Sequence, residues 1–305
     1  MNTTIFEGVW SAAPTPLTAT NHIDTISIKR LVKHHLRLGV KGVFLAGSCG
    51  EGPWLSDAQK STLVQETVKA AKGKLGIAVQ VTDNSAARIL DNIARAKSDG
   101  AEYVVVAAAF FLMHATPKVL WALYEEVLNK STLPVIFYDR GKHSLIDIPP
   151  AVLKKIYAHP AIIAIKDSSS DAARMKIALA ARRRRPEMRL LTGDEFDCVG
   201  ALRAGYNGLM LGGAAFNGFM AGEIRQAALD NNWTEAENLQ KHMNDLMFKI
   251  YGGKKIQCWL AGEKYLLQKL DVFKNYRNLL GYELTTNCAK AIDKIVETEQ
   301  KKLLP

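Results

Sequence analysis

Short apolar runs, rich in β-branched residues, recur at residues 9–13, 42–46, 75–81, 103–108, 134–138, 162–165, 189–191 and 208–211. Runs of that length read as buried strands, and stretches with helical spacing separate them. In residues 28–38, for instance, Ile28, Leu31, Val32, His35 and Leu38 fall on one helical face. Asn84 is placed to cap a helix reaching Lys97, with Gly100 to end it. Pro117, Pro149 and Pro150 stand where a first helical turn tolerates proline. Connections this long imply parallel pairing between successive strands. Eight such units either close into a barrel or form a doubly wound sheet. No GxGxxG turn follows the first strand, which weakens the dinucleotide-binding alternative. The pattern predicts an α/β fold, a (β/α)8 TIM barrel over residues 1–231, with a helix over 218–229 after the eighth strand. Residues 232–305 read as a C-terminal helical extension without further strands.

Composition narrows the class. Of 305 residues, 48% are hydrophobic and 23% charged, enough apolar surface to offset the entropy of ordering, so disorder is not expected. The longest nearly continuous apolar run, 103–113, is too short to span a bilayer. The opening MNTTIFEGVW has no basic region followed by an apolar stretch, so no signal peptide and no membrane partner are expected. Four cysteines, Cys49, Cys198, Cys258 and Cys288, lack metal-site or disulfide-scaffold spacing. A reduced, cytoplasmic setting is the expectation.

Forty Lys and Arg against thirty Asp and Glu give a formal net charge of +10. The densest patch is Arg182-Arg183-Arg184-Arg185, with Arg189 beyond Pro186. No aromatic residue interleaves with it, and its place at the end of a helical segment suits a helix C-terminus. It reads as a solvated face, with no nucleic-acid partner expected.

In a barrel of this kind the chemistry lies at the C-terminal ends of the strands. Lys166 follows the apolar run 161–165; an amine held at such a mouth is the nucleophile that Schiff-base formation with a keto group requires. A rim lysine paired with Asp167 is the bland alternative. Tyr138 ends the run 133–137, either as a proton relay or as an aromatic plug. The turn Gly47-Ser48-Cys49-Gly50 offers backbone amides and small side chains to a carboxylate, or is only a tight connection. Cys49 as a thiol nucleophile lacks an evident histidine base. Asp194 beside Glu195 reads as the cap of the next helix. Gly212 and Gly213 open a segment suited to anion binding or to close packing.

Taken in order, these elements resemble the dihydrodipicolinate synthase / N-acetylneuraminate lyase family of pyruvate-dependent class I aldolases. The likeness starts at Gly8 and Ala13-Pro14-Thr15-Pro16-Leu17, with Asp24 beyond. It continues through Gly47-Ser48-Cys49-Gly50-Glu51 with Leu55-Ser56, then Tyr138 with Asp147-Ile148-Pro149-Pro150. Ile165-Lys166-Asp167-Ser168-Ser169 and Gly193-Asp194-Glu195 complete it. The resemblance implies a barrel with C-terminal helices, assembled as a homo-oligomer, a tetramer or a dimer. It implies that Lys166 forms an imine with pyruvate or another 2-keto acid, that Tyr138 shuttles the proton, and that Gly47, Ser48, Cys49 and adjacent amides bind the carboxylate. It calls for no metal or organic cofactor, because the lysine imine is itself the electron sink.

Departures from the family pattern concern the second substrate. Synthases carry Tyr-Asn-x-Pro-x-Arg after strand five; here the stretch is Tyr138-Asp139-Arg140-Gly141-Lys142-His143, so His143 stands in the arginine's place. Arg140 or Lys142 offers a displaced cation without the same bidentate geometry. The synthases' relay tyrosine after strand four, supplied by a neighbouring subunit, corresponds to Ala109-Phe110-Phe111-Leu112, which has no hydroxyl. Ser48 keeps the relay's middle hydroxyl and Cys49 replaces its second threonine. The pocket beside Arg140, His143, Phe111 and Gly212 is thus where the substrate tail is expected. The expected activity is a Schiff-base lyase or aldolase on a 2-keto acid, a sugar-derived 2-keto-3-deoxy acid among the candidates. The alternatives are a synthase condensing pyruvate with aspartate semialdehyde, and an inactive barrel that only binds a keto acid.

Overall fold

Alternation along each strand decides which side chains face the barrel interior. In β2 (Gly42–Leu45) Val43 and Leu45 face the helices while Phe44 points inward. In β4 (Tyr103–Ala107) Val104 and Val106 face out and Val105 and Ala107 face in. The same period runs through β1 (Val9–Ser11), β3 (Gly76–Gln80), β5 (Val135–Asp139), β7 (Arg189–Thr192) and β8 (Gly208–Leu211), while β6 (Ile162–Asp167) shifts register once, Ile136 pairing with Ala164 after Val135 pairs with Ile162. All eight strands are parallel and close in sequence order, β1 pairing with both β2 and β8. The computed structural model describes residues 3–303 and 305. The predicted (β/α)8 barrel is the observed one, and most strand positions agree to within two residues.

The outer layer consists of α1 (Thr25–Arg37), α2 (Asp57–Ala71), α3 (Ala86–Ser98), α4 (Pro117–Lys130), α5 (Pro150–Ala158), α6 (Ala172–Arg184), α7 (Cys198–Ala204) and α8 (Ala214–Leu229). Pro117 and Pro150 open their helices, as expected. The α1 face identified from spacing is buried, with Ile28, Leu31, Val32 and His35 against the strands. Three details of the sequence reading change. Ser85, not Asn84, caps α3; the Asn84 carboxamide instead accepts the Phe111 amide and ties down the β4–α4 loop. Asp197, not Asp194, caps α7, because Asp194 turns back on the Phe196 amide and accepts the Ser170 hydroxyl. The helix after β8 starts at Ala214 rather than 218.

Beyond the barrel come α9 (Trp233–Ile250), α10 (Trp259–Lys269), α11 (Thr286–Thr298) and α12 (Gln300–Leu303). The extension is not helical throughout: residues 271–285 form an irregular segment. It is held by side-chain and backbone bonds to other elements instead of a helical ladder. Asn275 donates to the Leu17 carbonyl, Lys264 to the Arg277 carbonyl at 2.8 Å, and the Leu279 amide to the Glu51 carboxylate. Lys264 and Glu51, both fully buried, also form an ion pair. One carboxylate therefore joins the β2–α2 loop to α10 and to the irregular segment. Among the described residues no helix is long and apolar enough to cross a membrane.

Two histidines on α1 are enclosed. His34 bonds the Ala215 carbonyl at 2.9 Å through Nε2, whereas neither ring nitrogen of His35 has a partner. Burial lowers their pKa values to about 4 and about 3, respectively.

These features generate two predictions. Lys264→Met leaves the Glu51 carboxylate buried without its cation and should cost about 3 kcal/mol or more. Adding Glu51→Gln to that variant should cost less than the two single changes summed, read from denaturation midpoints. The second concerns acid. Unfolded histidines take up protons near their ordinary value of about 6.5, while the folded ones wait until about pH 4 and 3. The neutral forms therefore favour the fold above pH 6.5, and that contribution fades as pH falls through this window. His35→Leu should show a smaller loss of Tm between pH 6.5 and 4 than the parent; an equal loss would remove His35 from this account.

Candidate active site

The parallel register sets Tyr138 of β5 beside Lys166 of β6, and in the next pair Asp139 beside Asp167. Successive residues point to opposite sides of a strand, so the first pair enters the barrel and the second meets the helices. Lys166 is 4% exposed, its Nζ 4.3 Å from the Tyr138 ring centroid and 5.0 Å from that of Phe44. Phe44 in turn meets Tyr138 edge-on at 5.8 Å. The amine is framed by two aromatic faces and not by a carboxylate.

Asp167 is not the partner of Lys166. Its carboxylate accepts the Tyr206 hydroxyl at 2.6 Å and both the amide and hydroxyl of Ser169, and burial pushes its pKa up. Asp139 accepts two guanidinium nitrogens of Arg174, the Tyr157 hydroxyl and the Gly141 amide. Arg174 also holds Asp147 and the Ile148 carbonyl. These outward carboxylates fasten the ends of β5 and β6 to α5, α6 and the connection between α7 and β8, which frames the inward side chains. Gly193 is needed for the same frame. A Cβ there would lie 1.9 Å from Ser168 Oγ and 2.7 Å from Lys166 Cε.

The β2–α2 turn is wound tightly. Ala46 and Glu51 flank it at φ 53° and 56°, positive values that cost non-glycine residues energy and cluster at functional sites. A Cβ on Gly52 would fall 1.7 Å from the Ala46 carbonyl oxygen, so only glycine closes the turn. Thr15 donates to the Gly50 carbonyl at 2.6 Å from the far side. Among the described residues, the amides of Ser48 and Cys49 donate to no protein acceptor. A concave turn with unspent N–H groups is suited to an anion.

Gly47, Ser48 and Tyr138 line a cavity of about 510 Å³ at this end of the barrel. Arg140 and His143, both singled out from the sequence, line it as well. Four other expected residues do not: Lys166, whose amine lies 4.3 Å from the Tyr138 ring centroid, and Cys49, Phe111 and Gly212. The Cys49 side chain is buried against Gly212, whose own Cβ position is 2.8 Å from the sulfur. Burial pushes this thiol up, away from nucleophilic use. Phe111 is 68% exposed, and its neighbour Phe110 is the one that faces the cavity. Gly212 meets Cys49 and the Glu195 carboxylate rather than open space.

Sequence reasoning missed much of the remaining wall. Trp54 comes from the loop after β2, Gln80 is the last residue of β3, and Trp259, Leu280 and Tyr282 come from the extension. Trp259 and Tyr282 pack edge-on at 5.4 Å. Trp54 stood within reach of the strand-end rule, three residues past the Glu51 turn; nothing local marked the others. Glu195 serves structure, accepting the Gly213 amide at 2.6 Å and the Tyr251 hydroxyl at 3.0 Å. In the arginine run, Arg182 and Arg185 cap the carbonyls of Gly205 and His159, while Arg183 and Arg184 are exposed. Among the described residues no group of three or more His, Cys, Asp or Glu side chains is placed to hold a metal ion.

Comparisons with known proteins agree with this geometry. The sequence pattern of the dihydrodipicolinate synthetase family matches residues 5–297. The chain is 30% identical over 203 residues, 67% of each protein, to the 4-hydroxy-tetrahydrodipicolinate synthase of Stenotrophomonas maltophilia strain K279a. Its fold is similar to dihydrodipicolinate synthase from Bacteroides thetaiotaomicron, with a TM-score of 0.87 and 25% identity, covering 96% of this chain and 98% of that one. It is also similar to N-acetylneuraminate lyase from Fusobacterium nucleatum, with a TM-score of 0.85 and 18% identity, covering 99% and 100%. The chain belongs to the dihydrodipicolinate synthetase family, enzymes of the lyase class that work as class I aldolases.

Proposed function

We propose that this enzyme makes or breaks a carbon–carbon or carbon–oxygen bond in a 2-keto acid, pyruvate above all, through an imine on Lys166. The observation that carries the reading is the register of β5 and β6, with the Lys166 amine 4.3 Å from the Tyr138 ring beside a cavity lined by Ser48. The free amides of the 47–50 turn and the Ser48 hydroxyl hold the keto-acid carboxylate. Lys166 attacks the keto carbon, water leaves, and the resulting imine draws electrons from the bond at the neighbouring carbon. Tyr138 carries the proton to and from that site. The lysine imine provides the electron sink, so the reading requires no metal or organic cofactor.

The curated relatives are named as synthases. Here His143, exposed at the rim, occupies the place of the synthases' arginine, and Phe110 and Phe111 bring no hydroxyl to the relay. Condensation with aspartate semialdehyde is therefore not the reading adopted. Four buried free cysteines support a reduced, cytoplasmic setting. Phe111 and Met113, each 68% exposed on the β4–α4 loop, support a homo-oligomer that covers them.

Sodium borohydride reduction with pyruvate should leave a stable adduct on the peptide containing Lys166, and none on Lys166→Met. Pyruvate binding without an adduct would mark an inactive keto-acid-binding barrel instead. Tyr138→Phe should still trap pyruvate, yet turn over about a hundredfold more slowly or worse, as loss of a positioned proton donor does.

A further inference from the structure

We infer that a second ligand site lies between α1 and the turn after α10, and that it takes the phosphate monoester of a small polyhydroxylated molecule. The site stands apart from the imine chemistry, since its lining shares no residue with the cavity of Ser48 and Tyr138.

A cavity of about 400 Å³ opens there. One wall is a single face of α1, where Arg30, Lys33 and Arg37 recur at helical spacing around His34. The other wall is the turn 270–272, which closes α10 and opens the irregular segment. Leu270 and Val272 are buried and supply the apolar part of the lining. Asp271, between them, stands at φ 57°, and its carbonyl accepts the Arg30 guanidinium at 3.3 Å.

Charge decides the class of ligand. Among the described residues, none of Arg30, Lys33, Arg37 and Asp271 takes part in an ion pair. Three positive side chains thus meet one negative one around the same space. Like charges three and four residues apart weaken a helix, a cost that a bound anion offsets. A helix C-terminus favours cations, which accounts for Arg37 in the last turn of α1 but not for Arg30 and Lys33 farther back. The end of α10 has its own cation, Lys269, paired with Asp293. His34 adds no charge at neutral pH: burial above all, with Arg37 nearby, lowers its pKa to about 4. Its ring lines the cavity, with Nε2 engaged by the Ala215 carbonyl and the enclosed Nδ1 left without a partner.

A phosphate suits such a row, because it presents three oxygens to separate donors and guanidinium groups bind them in pairs. Phosphate alone is small for the space. A water molecule claims about 30 Å³ of liquid, so a cavity of about 400 Å³ has room for a body attached to the phosphate. Asp271 defines that body. Its carboxylate accepts only, and it has no side-chain hydrogen bond among the described residues. A hydroxyl gives it a donor without adding charge, whereas an ammonium would have to stand among three cations. The four charged residues are solvent-accessible, so water competes for each contact and the affinity is moderate.

Calorimetric titration of the purified full chain at fixed ionic strength tests the assignment with glucose 6-phosphate, glycerol 3-phosphate, inorganic phosphate, citrate and glucose. At least one ester should bind with a Kd below about 1 mM, several-fold tighter than inorganic phosphate, and glucose should not bind. Arg30→Ala combined with Arg37→Ala should weaken the ester about tenfold or more, as loss of charged hydrogen bonds does, at an unchanged ligand-free Tm. Should that variant fold poorly, Lys33→Gln alone should still weaken the ester several-fold. Asp271→Asn keeps a residue that tolerates the left-handed backbone. It should improve binding of inorganic phosphate while shrinking the ester's advantage over it. Absence of binding by both esters overturns the site, and citrate binding as tightly as they do overturns the phosphate. Inorganic phosphate binding as tightly overturns the polyhydroxylated body. Loss of ester binding in Arg140→Ala, with the α1 variants unaffected, would place the phosphate at the barrel mouth and overturn the inference as well.

Discussion

The pairing of β5 with β6 fixes more of this molecule than any other contact. The ladder shifts register once, between Val135 and Ile136, and then runs in step to Asp139 and Asp167; a further shift by one residue would turn Lys166 toward the helices and bring Asp167 into the barrel. The outward neighbours prevent that slip. Asp139 is held by Arg174 and Tyr157, and Asp167 by Tyr206 and Ser169, so charges that would be intolerable inside are satisfied outside. The inward residues inherit their precision from the outward ones. The Lys166 amine lies against the aromatic faces of Tyr138 and Phe44.

A second constraint joins this frame to the rest of the chain. Glu51 occupies a left-handed backbone position, and its buried carboxylate reaches both Lys264 and the Leu279 amide. The turn that offers amides to an anion and the segment that walls the cavity are thus set by one side chain. Desolvating such a pair is costly, and a hydrophobic replacement of similar volume can hold a fold as well. What the pair adds is registration: three segments distant in sequence converge on one point.

The barrel was legible in the sequence because its strands are short, apolar and evenly spaced, and because period-two burial leaves a strong pattern. Lys166, Tyr138 and Ser48 were legible for a related reason: in a barrel the strand ends are the site, and those ends can be counted. Cys49 and Phe111 were expected at the site from the resemblance and Gly212 from its place after the eighth strand, yet neighbours on a tight turn face opposite ways. Phe110 therefore lines the cavity while Phe111 points outward, and Cys49 packs beneath the turn that Ser48 crowns. Trp259, Leu280 and Tyr282 were invisible for a deeper reason. Their role depends on tertiary return of the chain across the barrel mouth, and local periodicity carries no record of it. The irregular stretch 271–285 was read as helix because what holds it lies outside its own sequence: the Leu279 amide bonds Glu51 and the Asn275 side chain bonds the Leu17 carbonyl, both more than two hundred residues away.

The placement of Trp259, Leu280 and Tyr282 has a consequence for synthesis. All three follow the eight strands in the order of translation, so a ribosome finishes the lysine-bearing barrel before it finishes the pocket. A nascent or truncated barrel would hold Lys166 without these three wall residues, and without the cation that pairs with Glu51. The cavity at the barrel mouth is complete only when the segments beyond β8 have been made.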